Sequence, residues 1–427
     1  MAWLILIILL FILIILRVPI AFGLGLVSVV GIMINDVSLL SNVPRNIFSG
    51  IDSFTLVAIP LFILAGEIMA KGGISQRLIN FSKIIVGPIP GGLALVVIVS
   101  SIFFAALTGT AIAAAAAIGG MLIPTMLKEG YDKGFTTSLI ASAATIGPII
   151  PPSIVFILYG VMASVSISDL FIAGILPGIL MALGLAAYSI YVGKKNNYVI
   201  KDTQTDLKTA LKYFKDAILA LMMPFIIIGG IISGIFTATE SGVIAVFYAL
   251  IIGLFVYKEI TFKDIWAILK ESALTTTGII FLIGSASVFI WYINFENIPN
   301  QLIDLLGFAA DSPILLLLII NIVLLIAGTF IDTISAVTIF TPLFTPLILS
   351  AGIDPVHFGV ILSVNLTIGM VTPPLGVCLF VVSSIAKQKV PDMFKHLFPQ
   401  VGILIVVLLI ITYAPSMIMK PVELFSN

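Results

Sequence analysis

Long apolar runs separated by short polar punctuation dominate this chain. Apolar segments fall near 2–16, 19–34, 54–70, 170–193, 217–235, 240–257, 273–293 and 397–415, and they predict membrane-crossing helices. Two longer regions, 92–165 and 313–386, do not divide into whole spans. In the first, arms 92–107 and 111–127 flank Leu107-Thr108-Gly109-Thr110-Ala111. At ~1.5 Å per residue each arm covers about 24–26 Å, short of the ~30 Å hydrocarbon core, which predicts a re-entrant hairpin. In the second, 325–335 (LIAGTFIDTIS) interrupts 313–349 in the same way and predicts another hairpin. Each is followed by an interrupted helix, 134–165 and 357–386. The expected fold is an all-α polytopic membrane protein with two re-entrant hairpins, two broken helices and about 10 full spans.

Composition agrees. The chain is 60% hydrophobic and 9% charged, with a mean hydropathy of +1.28, whereas soluble domains carry about 25% charged residues. Twenty basic and twenty acidic residues cancel and point to no nucleic-acid partner. Cys378, the single cysteine, cannot form an intrachain disulfide and reads as a small buried apolar side chain. The N-terminal run lacks a basic leader and a small-residue cleavage site, so a retained helix is expected.

Charge placement orients the spans. Residues 194–215 hold six lysines, 258–270 hold Lys258, Lys263 and Lys270, and 387–395 hold Lys387, Lys389 and Lys395. The positive-inside rule makes these loops cytoplasmic. The 294–312 stretch carries Glu296, Asp304 and Asp311 without lysine or arginine and is expected outside. Lys71, Arg77 and Lys83 precede the first hairpin, and Lys128 and Lys133 follow it, so it enters from the cytoplasm. The second enters from the opposite face, and the N-terminus is expected outside, in the periplasm. Residues 36–53 are too polar to span and read as an interfacial segment.

An internal repeat joins the two regions. At a constant offset of 222, residues 121–155 match 343–377, with Pro124/Pro346, Gly130/Gly352, Asp132/Asp354, Thr145/Thr367, Gly147/Gly369, Pro151/Pro373 and Pro152/Pro374 among the identities. Apolar composition alone does not place Gly-x-Asp and Thr-Ile-Gly…Pro-Pro in register. With the charge pattern, this is an inverted repeat, the signature of secondary transporters whose sites lie near the bilayer midplane. Lipid cannot satisfy free backbone groups, so a mid-membrane break must face protein or a wet cavity. Proline pairs free carbonyls nearby, and carbonyls with threonine hydroxyls are hard oxygen ligands suited to a small cation.

These residues carry a family resemblance. TIGPIIPP (145–152), TIGMVTPP (367–374), GIFTATESGVIAVFYAL (234–250) and AGIDPVHFG (351–359) resemble the large membrane subunit of tripartite ATP-independent periplasmic (TRAP) transporters, over essentially the whole chain. The resemblance implies an elevator-type transporter driven by sodium. It also implies a periplasmic substrate-binding protein that delivers an organic acid and a small four-helix membrane subunit. Because the chain begins at the large subunit, the small one is expected as a separate polypeptide. Implied substrates are small carboxylates such as sialic acid or C4-dicarboxylates, with the sialic-acid branch the nearer. The setting would be the bacterial inner membrane.

The resemblance also implies two Na+ sites, one per repeat. The first would draw on Thr108, Gly109, Thr110, Thr145, Gly147 and Ile150. The second would draw on Ala327, Gly328, Thr329, Thr367, Gly369, Val371 and Thr372. Ile150 stands where the second copy has Thr372, and Pro148 where it has Met370, so the first site has one hydroxyl fewer. Ser100 and Ser101 on the entering arm, with Asp332, Thr333, Pro151 and Pro373, are candidates for holding substrate.

Charged residues inside spans need an explanation of their own. Asp332 has no carboxylate counterpart in the first hairpin, where its partner is Thr110 or Ala113. It could favour a cation, shape the substrate pocket, or cap a hairpin helix beginning near Thr329. Glu240 is expected to cap the 240–257 helix, and Glu67 to pair with Lys71 at i+4. His357 is expected at an interface, and Trp291 and Tyr292 in the outer aromatic belt. An intramembrane aspartyl protease would need a second facing Asp, which the chain lacks. A stand-alone carboxylate transporter without a binding protein remains the alternative. The division expected is 1–91 and 166–293 as scaffold, 92–165 and 294–386 as transport core, and 387–427 as a C-terminal span.

Overall fold

The computed structural model describes residues 2–16, 18–198, 207–305 and 312–425. Arg17, Asp311 and part of the lysine-rich 194–215 stretch lie outside them. The described chain is helical throughout. Its first helices are α1 (Ala2–Ile15), α2 (Ile20–Asn35), α3 (Asn42–Ile51), α4 (Ala58–Lys71) and α5 (Ile74–Val86). The first hairpin is α6 (Gly92–Thr108) and α7 (Ala111–Lys128), and the first broken helix is α8 (Lys133–Ala144) and α9 (Ile154–Ala163). Then follow α10 (Ile167–Lys195), α11 (Leu207–Ile232), α12 (Ala238–Ile251), α13 (Phe262–Phe295) and α14 (Ile298–Leu305). The second hairpin is α15 (Pro313–Phe330) and α16 (Thr333–Ser350), the second broken helix α17 (Pro355–Gly369) and α18 (Val377–Ala386). α19 (Phe394–Tyr413) and α20 (Pro415–Phe425) end the chain.

Nine segments among the described residues are long and apolar enough to cross a membrane. Three are hairpin arms, α7, α15 and α16, while each half of a broken helix is too short alone. The expectation of about ten spans took each broken helix as one crossing. Two helices start earlier than hydropathy suggests. α13 begins at Phe262 and α11 at Leu207, inside stretches read as loops, because helical hydrogen bonding continues past the apolar core. Their charged first turns sit beyond the hydrophobic window.

The repeat is structural as well as sequential. Helices α7 and α16 start at 111 and 333 and end at 128 and 350, and α8 and α17 start at 133 and 355, each pair 222 apart. Gly130 and Gly352 both take left-handed backbone, φ +81° and +69°. There, Tyr131 N–H donates to Met126 O and Ile353 N–H to Ile348 O, closing the preceding helices. Asp132 accepts from Phe135 N–H at 2.8 Å, and Asp354 accepts from Val356 and His357 N–H at 2.8 and 3.0 Å. The shared glycine and aspartate are therefore a helix stop and a helix start.

Two hydrogen bonds establish the inversion. Lys133 Nζ, at the start of the first broken helix, donates to Lys387 O at the end of the second, 3.2 Å. Tyr159 Oη, near the end of the first, donates to Pro355 O at the start of the second, 2.6 Å. The broken helices thus run antiparallel. The second arm of each hairpin packs on the other repeat's broken helix, α7 on α18 and α16 on α9.

Several side chains sit otherwise than expected. His357 is buried, with Nε2 2.8 Å from Ile411 O. Tyr292 is 1% exposed, its hydroxyl accepting from Asn35 Nδ2 at 3.2 Å, so it faces the protein. Trp291 stacks on Phe295. Glu240 does cap α12, in a reciprocal box with Thr237. Cys378 is fully buried.

Candidate functional site

The two breaks and the two hairpin tips converge. At the first break, Thr145 to Pro152 leaves the helix while remaining buried. The carbonyls of Thr145, Gly147 and Ile150 accept no hydrogen bond among the described residues. Thr145 Oγ1 donates to Ser142 O at 2.6 Å, which leaves its lone pairs available. Tip and break touch through glycine: a Cβ on Gly147 would lie 3.3 Å from Thr110 O, and one on Gly109 (φ +60°) 3.4 Å from Pro152 O. Thr108 ends α6, and its side chain lies outside the described ones.

The second break is built on the same plan with different contacts. A Cβ on Gly369 would lie 2.5 Å from Gly328 Cα, which brings hairpin and break into backbone contact. Thr329 O accepts from Gly376 N–H at 3.2 Å. The carbonyls of Val371 and Thr372 accept nothing among the described residues, whereas those of Thr367 and Gly369 each accept one N–H. Thr367 Oγ1 and Thr372 Oγ1 donate back to Val364 O and Ile368 O, both at 2.8 Å. Here the chain reaches the surface, with Leu375 42% exposed, whereas the first break is sealed.

The second tip falls within the expected interruption 325–335, but the helix that follows it starts one turn later than expected. Ala327, Gly328 and Thr329 are still inside α15; the interruption is at Ile331-Asp332, and the next helix starts at Thr333 rather than near Thr329. Helix starts pair Asp332 with Thr110. Both are N-caps: Asp332 accepts from Ser335 N–H at 3.1 Å and Thr110 Oγ1 from Ala113 N–H at 3.4 Å. The same geometric post carries a carboxylate in one repeat and a hydroxyl in the other.

A cavity of about 520 Å³ lies between these tips and helices α4, α5 and α13, within the usual range for a small-molecule site. Its wall includes Thr110, Pro148, Asp332, Thr333 and Met370. Thr333 Oγ1 donates to Met370 Sδ at 2.8 Å. Asp332 also borders a second cleft of about 420 Å³. Ser100, Ser101, Pro151 and Pro373 are not on the main cavity's wall. Ser101 Oγ donates to Val97 O at 2.8 Å, and the buried Ser100 hydroxyl has no partner among the described residues.

Sequence reasoning missed the opposite wall, formed by Glu67, Ser75 and Thr275. Glu67 was explained by Lys71 four residues on, yet Lys71 Nζ pairs with Glu271 at 2.6 Å. The available signal was a carboxylate inside an apolar span. No basic side chain lines the cavity, and no group of three or more His, Cys, Asp or Glu among the described residues could hold a metal.

An inverted pair of hairpins and broken helices around a shared cavity defines a secondary membrane transporter. Residues 7–417 match the family described as tripartite ATP-independent periplasmic transporter, DctM component, and the chain belongs to that family. It is 42% identical over 400 residues to the isethionate TRAP transporter permease protein DctMQ of Oleidesulfovibrio alaskensis, covering 93% of this chain but spanning only 63% of that relative. It is 36% identical over 407 residues to the sialic acid TRAP transporter large permease protein SiaM of Vibrio cholerae, covering 95% of each. In fold it resembles the YdaH transporter of Alcanivorax borkumensis, with TM-score 0.67 and 15% identity over 90% of this chain and 89% of that one. The relatives are named as permeases, not enzymes.

Proposed function

We propose that this chain carries out sodium-coupled uptake of an organic acid across the bacterial inner membrane, with its N-terminus periplasmic. A periplasmic binding protein would deliver the substrate, and a small membrane subunit would complete the complex. The observation that carries the reading is the pairing of each glycine-packed tip with a break rich in free oxygens, both bordering one cavity. Thr145, Gly147 and Ile150 with Thr110 O fit one sodium ion; Val371, Thr372, Thr367 and Gly369 with the α15 end fit another. When bound, the ions supply positive charge beside a cavity that has no basic side chain.

The substrate's acid group would lie among the hairpin tips, where helix N-termini present backbone N–H groups. The cavity separates the hairpins from α4 and α13, which suits an elevator movement of the core against a static scaffold. The relatives are named for isethionate and sialic acid, both acids. Thermal unfolding of the purified chain in sodium chloride and in potassium chloride tests the ion assignment. Specific stabilisation by sodium at millimolar concentration is expected; equal stability in both salts would overturn it.

A further inference from the structure

The cavity has a charge problem that the sodium assignment leaves unsolved. Among the described residues its wall carries two carboxylates, Glu67 and Asp332, and no lysine, arginine or histidine. The basic groups nearest Glu67 in sequence are already paired, Lys71 with Glu271 at 2.6 Å and Arg77 with Glu259 at 2.7 Å. Glu67 makes no ion pair or hydrogen bond among the described residues, although it is only partly exposed and lies in a membrane span. A carboxylate so placed needs hydrogen-bond donors. On the same wall, Ser75 is 6% exposed, and its buried hydroxyl has no partner among the described residues. Thr275 donates its proton to Glu271 O at 3.1 Å and can only accept from the cavity. This wall is therefore rich in acceptors.

The opposite wall has the reverse polarity, but only on one side. α7 and α9 present their first turns to the cavity through Ala111, Ile112, Ala113, Ile154 and Val155. Their caps, Thr110 and Ser153, are neutral hydroxyls. α16 is capped by Asp332, whose charge already satisfies that terminus. A substrate anion is thus favoured at the first repeat's helix starts and disfavoured beside Asp332 and Glu67.

Building on the organic-acid reading above, we propose that Glu67 is a specificity-determining residue. It receives hydroxyl donors of the substrate and rejects a second acid group. The substrate class is then a hydroxylated monoanion, its acid group against α7 and α9 and its hydroxyls toward α4, rather than a dicarboxylate.

The test is thermal-shift titration of the purified full chain in sodium buffer. One probe set holds hydroxylated monoanions (gluconate, N-acetylneuraminate, 2-hydroxyethanesulfonate), and the other holds dianions (succinate, malate). In the wild type at least one monoanion should bind about tenfold or more tighter than either dianion, since juxtaposed like charges are rejected. Glu67→Gln should collapse that ratio toward one, and Glu67→Asp, which keeps the charge, should retain it. Dianions binding the wild type as tightly as the monoanions would overturn the proposal, as would an unchanged ratio in Glu67→Gln. If no acid of either class shifts the wild type, the organic-acid reading itself falls, and the proposal with it.

Discussion

Gly328 and Gly369 meet backbone to backbone, so closely that a Cβ on Gly369 would stand 2.5 Å from the Gly328 Cα. No side chain intervenes that could turn aside, so even one methyl group must push α15 away from the second break. Gly369→Ala is expected to cost about 1–3 kcal/mol as overpacking and to abolish most sodium-dependent stabilisation. Gly120, on α7, has open space around its Cα. Gly120→Ala should instead be neutral or stabilising by up to about 1 kcal/mol, from helix propensity. Melting curves of both variants with and without sodium check the contrast.

Asp332 combines two roles that substitution can separate. As N-cap of α16 it accepts from Ser335 N–H at 3.1 Å, and as a cavity wall it sets local charge. Asp332→Ala should lower stability by about 1 kcal/mol, while Asp332→Ser keeps the cap and should unfold like the wild type. The serine variant should nonetheless show altered acid affinity in binding titrations. A serine variant that binds as the wild type does would reduce Asp332 to a cap.

The Tyr159 hydroxyl to Pro355 carbonyl bond, 2.6 Å and part-buried, ties the end of the first broken helix to the start of the second. Tyr159→Phe leaves that carbonyl without its side-chain donor and should cost about 1–3 kcal/mol, read as a lower melting temperature. Unaltered stability would mean that the carbonyl finds another donor.

Asp132 and Asp354 are the most conspicuous polar identities of the repeat, and both are N-caps. Their alanine variants should each lose about 0.5–2 kcal/mol of stability, and their asparagine variants much less. Sodium affinity, measured by titrated thermal shift, should be unchanged in the asparagine pair.

Much of this architecture was legible in the sequence, because lipid leaves few alternatives to long apolar helices, and glycine, proline and aspartate mark where they stop and start. The 222-residue offset foretold paired breaks, which the helix boundaries reproduce at 111/333 and 133/355. What stayed hidden depended on distant partners. His357 is buried because Ile411, 54 residues away, supplies a carbonyl at 2.8 Å. Lys71 turns to Glu271, 200 residues on, and leaves Glu67 to the cavity. The start of α16 was expected a turn early, near Thr329, whereas Gly328 lies within α15 and serves close packing there. Charged first turns concealed the start of α13, since hydropathy does not report helix propensity.

Coupling to sodium is the claim on which the account stands. Its most direct test is uptake of a radiolabelled substrate into proteoliposomes containing this chain and its small subunit, with the binding protein outside. An inward sodium gradient should drive accumulation above the external concentration, and replacing sodium by potassium should abolish it. Equal accumulation in the two salts would contradict the account.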